Sequence, residues 1–309
     1  MMNITKLSLI TLILLLSISS AYAGNFTVIN PYDAGGTAWY KGQLHSHTDN
    51  SDGKNDPEEV VEAYKEAGYN FIAITDHNFI TPDPLIEGIT FIPGVEETLK
   101  RHLVAINVEK RYEGKDIQEC LDFHFNDKSM IFIAHPEWRK RYIMCSKEVN
   151  SYNNFNFIEV FNGGITYSVE EPWDFLLSNG RKIFALATDD CHNVKGKGFN
   201  RGYVMVKANS SGKEDILKSL RNGNFYASTG NDIEITIDGD TIIAKSSNSS
   251  IFDFKGKNGE ILKNDGNVNE SKYTITGDEM YVRVRACSYP DGKMAWSQPI
   301  FIQTGVTHF

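Results

Sequence analysis

A chain of 309 residues is long enough for one large barrel domain or two ordinary domains. With 41% hydrophobic and 23% charged residues it has the composition of a globular protein, which excludes extended disorder. Its 40 acidic and 31 basic side chains give a net charge of −9, the wrong sign for tracking a polyanion backbone, so no nucleic-acid partner is expected.

The first 23 residues read as a targeting segment, a signal peptide rather than part of the fold. Lys6 supplies a positive start, residues 7–20 are an apolar run, and Ala21-Tyr22-Ala23 is a small-x-small cleavage site. The run is shorter than the roughly 20 apolar residues that a membrane span needs. No cysteine follows the cleavage site to carry a lipid. A secreted or periplasmic protein with no stable membrane span is therefore expected. Cys120, Cys145, Cys191 and Cys287 are too few for a disulfide scaffold. One bridge, such as Cys120 to Cys145, is permitted outside the cell, but the spacing does not assign it.

Residues 39–47 read as a strand ending in His-Ser-His. A helix over 56–68 carries its own punctuation: Asp56 as N-cap, Pro57 at the first helical position, Glu59 for a capping box and Gly68 as the stop. Continuous apolar, β-branched content marks a buried strand at 71–75. Further strands are predicted at 89–92, 103–108, 130–134, 157–160, 183–187 and 203–206, with helical patterns at 117–125, 172–177 and 214–221. This alternation over 24–230 predicts a parallel α/β barrel or sheet. Beyond it, short alternating runs are broken by Asp238-Gly239, Asn258-Gly259, Asp265-Gly266 and Asp291-Gly292, which are hairpin signals. Residues 231–309 are predicted to form a small antiparallel, sandwich-like β domain.

The chemistry gathers where the predicted strands end. His45 and His47 are two apart on an extended segment, so both side chains leave one face and can reach one ion. Asp52 follows on the next loop. Asp76-His77 closes a strand, Glu96 follows Gly94-Val95, His102 opens a strand, His135 ends one in Ala-His-Pro, and Asp190-Cys191-His192 ends another. Loops after parallel strands meet at one mouth, where barrel enzymes place their chemistry. Imidazoles mixed with carboxylates suit zinc, manganese or iron. The set exceeds what one tetrahedral ion uses, so two or three divalent ions are implied, with Glu96 able to bridge through its two oxygens. Paired ions activate a bridging water and clamp attacking and leaving oxygens. No Ser-His-Asp arrangement is visible. His124 and His308 stand without such company. Asp189 is read as a neighbour of the site, and Cys191 as a buried spacer.

The ordered motifs His45-Ser-His47, Ser51-Asp52-Gly53, Ile74-Thr75-Asp76-His77-Asn78, Gly94-Val95-Glu96, His102, Ala134-His135-Pro136 and Asp190-Cys191-His192 resemble those of the polymerase and histidinol phosphatase (PHP) superfamily. The resemblance covers about residues 38–230. It implies a distorted seven-stranded (β/α)7 TIM-like barrel with a two- or three-metal site. On that template His45, His47, Glu96 and Asp190 hold one ion, Glu96, His102 and His135 a second, and Asp52, His77 and His192 a third. Asp52 stands where some relatives have His. The tail segments 281–285 and 295–300 are similar to the β extension of secreted bacterial members. That extension is expected to pack on the barrel; a glycan contact through Trp296 or Tyr281 is the alternative.

The resemblance implies a metal-dependent phosphoesterase acting on small organic phosphate mono- or diesters, in which a metal-bridging hydroxide attacks phosphorus. Asp190 and His192 then serve catalysis as well as ligation. Arg139 and Arg201 are the candidates to orient a phosphate through the guanidinium fork; a surface position or a structural ion pair is the alternative for each. Asn162 is either a substrate contact or a turn residue before Gly163-Gly164. Two other readings stay open: a metallohydrolase of carbamate, amide or carboxyl-ester bonds, and a non-catalytic, metal-stabilised surface-binding protein.

Overall fold

The computed structural model describes residues 26–126, 128–136, 144–165 and 167–304. The targeting segment, Arg139 within the basic run 139–141, and His308 lie outside the described residues. In chain order the elements are β1 (Phe26–Ile29), β2 (Ala38–Gln43), α1 (Pro57–Glu66), β3 (Phe71–Ile74), β4 (Thr90–Thr98), β5 (His102–Ile106), α2 (Ile117–His124) and β6 (Met130–Ile133). There follow α3 (Ser146–Ser151), β7 (Phe157–Asn162), β8 (Tyr167–Ser168), α4 (Glu171–Ser178), β9 (Phe184–Thr188), β10 (Tyr203–Ala208), α5 (Lys213–Arg221) and β11 (Phe225–Ser228).

Helix α1 forms where its punctuation predicts. The Asp56 carboxylate accepts from the Glu59 amide at 2.7 Å, Pro57 opens the helix, and Val60, Val61 and Tyr64 are buried against Ile72 and Ile74. The Glu59 carboxylate reaches Asn55 at 3.0 Å instead of closing the box.

Strands β2, β3, β4, β6, β7 and β9 run parallel, whereas β5 and β10 are antiparallel to their neighbours. A mixed α/β fold was expected and is observed, but not the regular (β/α)7 alternation. Only residues 99–101 separate β4 from β5. A parallel crossover needs a dozen residues or more, so this connection makes a hairpin. The same hairpin extends β4 through Glu96 to Thr98, with Glu96 opposite Val104 and Thr98 opposite His102. One core takes alternate side chains from most strands, including Phe71, Ile92, Val104, Phe132, Phe157, Leu186, Val204 and Phe225, so the sheet curls around them. Strand β9 packs against β10 and β11 but forms a ladder only with β7.

Eight antiparallel strands complete the chain: β12 (Glu234–Asp238), β13 (Thr241–Lys245), β14 (Ile251–Lys255), β15 (Ile261–Gly266), β16 (Glu270–Thr274), β17 (Tyr281–Cys287), β18 (Met294–Ser297) and β19 (Ile300–Thr304). β11 pairs with β18, and β1 pairs with β19, so both the chain's first described strand and the end of the curled sheet join this β region. Trp296 and Tyr281 are 0% exposed. Neither can be a glycan platform, because each is committed to the packing between the β region and the rest of the fold. All four cysteines are free. No helix among the described residues is long and apolar enough to cross a membrane.

Candidate metal centre

The loops after β2, β3, β6 and β9, the C-terminal half of β4 and the start of β5 bring nine predicted residues to one place. At the centre is the Glu96 carboxylate. Its Oε2 lies 3.1 Å from His45 Nε2, 3.1 Å from His47 Nε2 and 3.4 Å from His77 Nδ1. Its Oε1 lies 2.8 Å from His102 Nδ1 and 3.1 Å from His135 Nε2. Asp190 Oδ1 stands 3.3 Å from His45 Nε2 and 3.1 Å from His47 Nε2. Asp52 closes the outer side, 3.5 Å from His77 Nε2 and 3.3 Å from His192 Nε2. Gly53 permits this: a Cβ there would sit 2.7 Å from the His47 backbone, so a larger residue would push the loop, and Asp52, away.

Among the described residues there are three sets whose donor atoms lie within 4.8 Å of one another: His45, His47, Glu96 and Asp190; His47, Asp52, His77 and His192; and His77, Glu96 and His102. The first is the set expected. The outermost adds His47 to the expected three. The remaining set has His77 where His135 was expected, while His135 keeps its contact with Glu96.

A second layer aims these donors. His45 Nδ1 lies 2.7 Å from Glu159 Oε1, which leaves Nε2 facing Glu96 and Asp190. Glu159 also accepts from Thr188 at 2.6 Å, from the His135 amide at 2.6 Å and from Asn162 at 3.0 Å. Asn162 reaches Asp190 Oδ2 at 3.3 Å and accepts from Gly164 N at 3.0 Å, so it is both a turn residue and a support of the cluster. Thr98 holds His77 Nδ1 at 2.7 Å. Asp76 organises the 48–51 loop, accepting from Thr48 N at 2.7 Å and from Ser51 at 2.7 Å. Asp189 accepts from Tyr64 and from the amides of Asn200, Arg201 and Gly202, pinning the 193–202 loop. Sequence reading passed over Glu159; its signal was a lone carboxylate within the apolar run Phe157-Ile158-Glu159-Val160-Phe161.

The electrostatics follow from crowding charge in a dry place. Burial alone would lower the His45 pKa, but Asp190, Glu96 and Glu159 outweigh it and hold the pKa well above its ordinary value. His47 is likewise buried but pushed up to about 9 by Asp190 and Glu96. Burial would raise Glu96 and Asp190, yet the surrounding histidines hold both well below the carboxylate range. Burial raises Asp189 to about 6 and the Cys191 thiol to about 11, so Cys191 is an inert spacer. The backbone is strained at two of the converging residues, His135 (φ 27°) and Asp190 (φ 49°). Such left-handed positions cost about 1–3 kcal/mol and cluster at functional sites.

These residues fit divalent ions. Both ring nitrogens of His47 and Oδ1 of Asp190 are buried without a hydrogen bond, although they stand close to opposite partners. A buried polar atom left unsatisfied costs about 1–3 kcal/mol, a cost that ligation removes. Elsewhere, His124 is buried against Glu97 at 3.0 Å, which accounts for it structurally. Arg201 has an exposed side chain and makes no ion pair among the described residues; its Cβ lies near Gly163.

Residues 43–160 match the family model described as PHP domain. No curated protein matches the chain significantly. Among solved structures it is similar to a two-domain protein from Bacteroides vulgatus containing a predicted PHP-like metal-dependent phosphoesterase. The two are 18% identical with a TM-score of 0.52, over 85% of this chain and 95% of that one, which marks a shared fold. Two further structures superpose less well: PsfC from Pseudomonas syringae (13% identity, 59% of this chain and 88% of that one, TM-score 0.44) and the lesion-specific endonuclease PfuEndoQ from Pyrococcus furiosus (16%, 60% and 56%, TM-score 0.47). The stretch that resembles the PHP domain, residues 43–160, holds the His45-to-Glu159 part of the cluster, and Asp190 and His192 lie beyond it.

Proposed function

We propose that this protein is an exported, metal-dependent phosphoesterase that hydrolyses small organic phosphate mono- or diesters. The observation that carries the reading is Glu96, whose two oxygens face different imidazoles while Asp190 and Asp52 close the two sides. His45, His47, Glu96 and Asp190 would hold one ion, Glu96, His77, His102 and His135 would serve a second, and Asp52, His77 and His192 with His47 a third. Two or three zinc, manganese or iron ions there supply Lewis acidity toward a phosphoryl oxygen and an activated water. The chain's own residues do the rest. Glu159 fixes the His45 ring, as a carboxylate behind a ligating imidazole does. Arg201, Lys54, Lys195 and Lys197 are exposed, make no ion pairs among the described residues, and sit on the loops beside His192 and Gly163. In a chain of net charge −9 they favour an anionic small molecule at this mouth. Arg139 is assigned the same role from its place after His135-Pro136.

A second reading, hydrolysis of a carboxyl ester or carbamate, draws on the small recess beside His135, whose other walls include Pro136, Val160, Phe161, Ile165 and Val169. Export rests on the 1–23 segment, with residues 24–230 as the hydrolase unit and 231–309 as the β unit. Nucleic acid is not the proposed substrate, given the acidic chain.

The deciding experiment measures metal content of the mature chain together with turnover of p-nitrophenyl phosphate and bis(p-nitrophenyl) phosphate, with and without chelator. Two or three ions and chelator-sensitive release of nitrophenol support the proposal. Bound metal with turnover of p-nitrophenyl acetate alone moves the assignment to the second reading. A chain that takes up no zinc, manganese or iron ends both.

A further inference from the structure

The wall of the metal centre next to His135 is held from its far side by charge. Strand β7 delivers Glu159 and Asn162, the chain turns and returns as β8, and Val169 N donates back to Val160 O at 2.7 Å. Gly163 N is tied to Thr188 O at 2.8 Å. Ile165 and Val169 from this return segment line the recess against His135 and Glu159. The next residue, Glu170, accepts from Arg283 at 2.6 Å, from Arg285 at 2.9 Å and from Lys255 at 3.0 Å. One turn later Asp174 receives Arg283 twice, at 2.7 and 2.6 Å, and the Tyr281 hydroxyl at 3.2 Å. All three cations come from β14 and β17 of the β region, and both carboxylates come from the segment leaving the metal centre.

Cohesion alone does not call for this arrangement. The two parts already share an apolar core that includes Trp173, Tyr281 and Trp296. Replacing buried ion pairs by apolar residues is often neutral or stabilising, so such pairs add little net cohesion. What a guanidinium fork gripping two carboxylates adds is fixed direction. Arg283 is fully buried, with its guanidinium carbon 4.6 Å from the Trp173 ring centroid, so packing as well as charge restrains the fork.

We infer that the β region is a positioning element for the metal centre: Arg283, with Arg285 and Lys255, fixes Glu170 and Asp174, and through them Ile165 and Val169, which wall the recess beside His135. The kinetic part of this inference rests on the hydrolytic reading above; the structural part does not.

The test uses the full mature chain, metal-loaded, as wild type, Arg283→Met, Arg283→Lys and Glu170→Gln. Hydrogen exchange is followed over 163–169, with 45–53 as the internal control, alongside metal content, KM and kcat for whichever phosphoester the wild type turns over. Exchange over 163–169 is expected to quicken roughly tenfold in Arg283→Met while 45–53 and metal content stay put. KM is expected to rise roughly tenfold with kcat within about twofold, the pattern left when a contact that binds ground and transition state alike is lost. Arg283→Lys falls between. Glu170→Gln keeps the side chain's shape and decides the matter if Arg283→Met does not fold. Unchanged exchange over 163–169 overturns the inference, and so does quickened exchange with unchanged KM. A wild type without phosphoester turnover defeats the hydrolytic reading alone, and the exchange result then decides by itself.

Discussion

The metal centre and the Glu170–Arg283 cluster are both built from buried charge, and both touch the β7–β8 hairpin, yet their charges are balanced differently. In the second cluster Arg283, Arg285 and Lys255 stand against Glu170, Asp174 and Asp253, permanent cation against carboxylate, at 2.6–3.0 Å. In the first, Asp52, Glu96, Glu159 and Asp190 have, among the described residues, only imidazoles as partners within ion-pair reach. An imidazole is a cation only when protonated and a metal ligand only when not. Four carboxylates crowded with such rings want positive charge that the described residues around them do not permanently supply. A cluster closed on itself positions; a cluster left short of cations binds them.

The largest expected effect tests the open cluster. Glu96→Ala removes the one carboxylate shared by two of the three donor sets, so at least two ions are lost and turnover falls by roughly 10²–10³-fold or more. Asp52→Ala should lose one ion only, with the fold intact by circular dichroism. Equal metal loss in the two variants would show that Glu96 is not the shared member.

Next comes the closed cluster. Arg283→Ala leaves Glu170 and Asp174 short of their buried partner, which costs about 3–5 kcal/mol in comparable pairs. Urea unfolding of the metal-free chain should show this loss, and should show little for Asp52→Ala. If Asp52→Ala destabilises as much, the contrast between the two clusters fails.

A smaller effect sharpens the comparison from inside the metal centre. Glu159→Gln keeps an acceptor near His45 Nδ1 but removes the charge, and changes of this kind weaken metal affinity roughly 10–100-fold. Competition with a chelator of known affinity reads this directly. An affinity equal to wild type would reduce Glu159 to a purely structural hydrogen-bond hub.

The sequence carried the open cluster far better than the closed one. His-x-His, Asp-His and Asp-x-His at strand ends are local patterns that mark five of the nine residues, His45, His47, His77, Asp190 and His192, and the fold brings these together with Asp52, Glu96, His102 and His135. Glu159 was missed because a strand of continuous apolar residues reads as core, and the carboxylate inside it has no neighbour in sequence to explain it. Strand direction was also out of reach: nothing in 102–106 says that β5 runs antiparallel, and only the three-residue link from Thr98 to His102 decides it. The run Tyr281-Val282-Arg283-Val284 discloses least about its surroundings. Alternation normally assigns the polar positions to solvent, but here all four residues are buried because both faces of β17 are covered. The partners of Arg283 lie 109 and 113 residues away. Long-range ion pairs of that kind leave no periodic trace.

The smallest effect concerns acid. Burial would raise the Glu170 carboxyl, but Arg283, Arg285 and Lys255 outweigh it and hold it well below the usual carboxylate range. For an acid whose folded value is depressed, the folded state binds fewer protons than the unfolded state between the two values. The stabilisation is therefore complete above the unfolded value, near 4.5, and drains away as pH falls toward the folded one. Urea-unfolding free energies of the metal-free chain measured at steps from pH 7 to pH 3 should fall less steeply below pH 4.5 in Glu170→Gln than in wild type, because the variant has no proton to gain there. Above pH 5 the two curves should run parallel, offset by the cost of the lost charge. An acid limb of equal slope in both would mean that the three cations do not hold Glu170 ionised, and the closed cluster would then lose the feature that sets it apart from the metal centre.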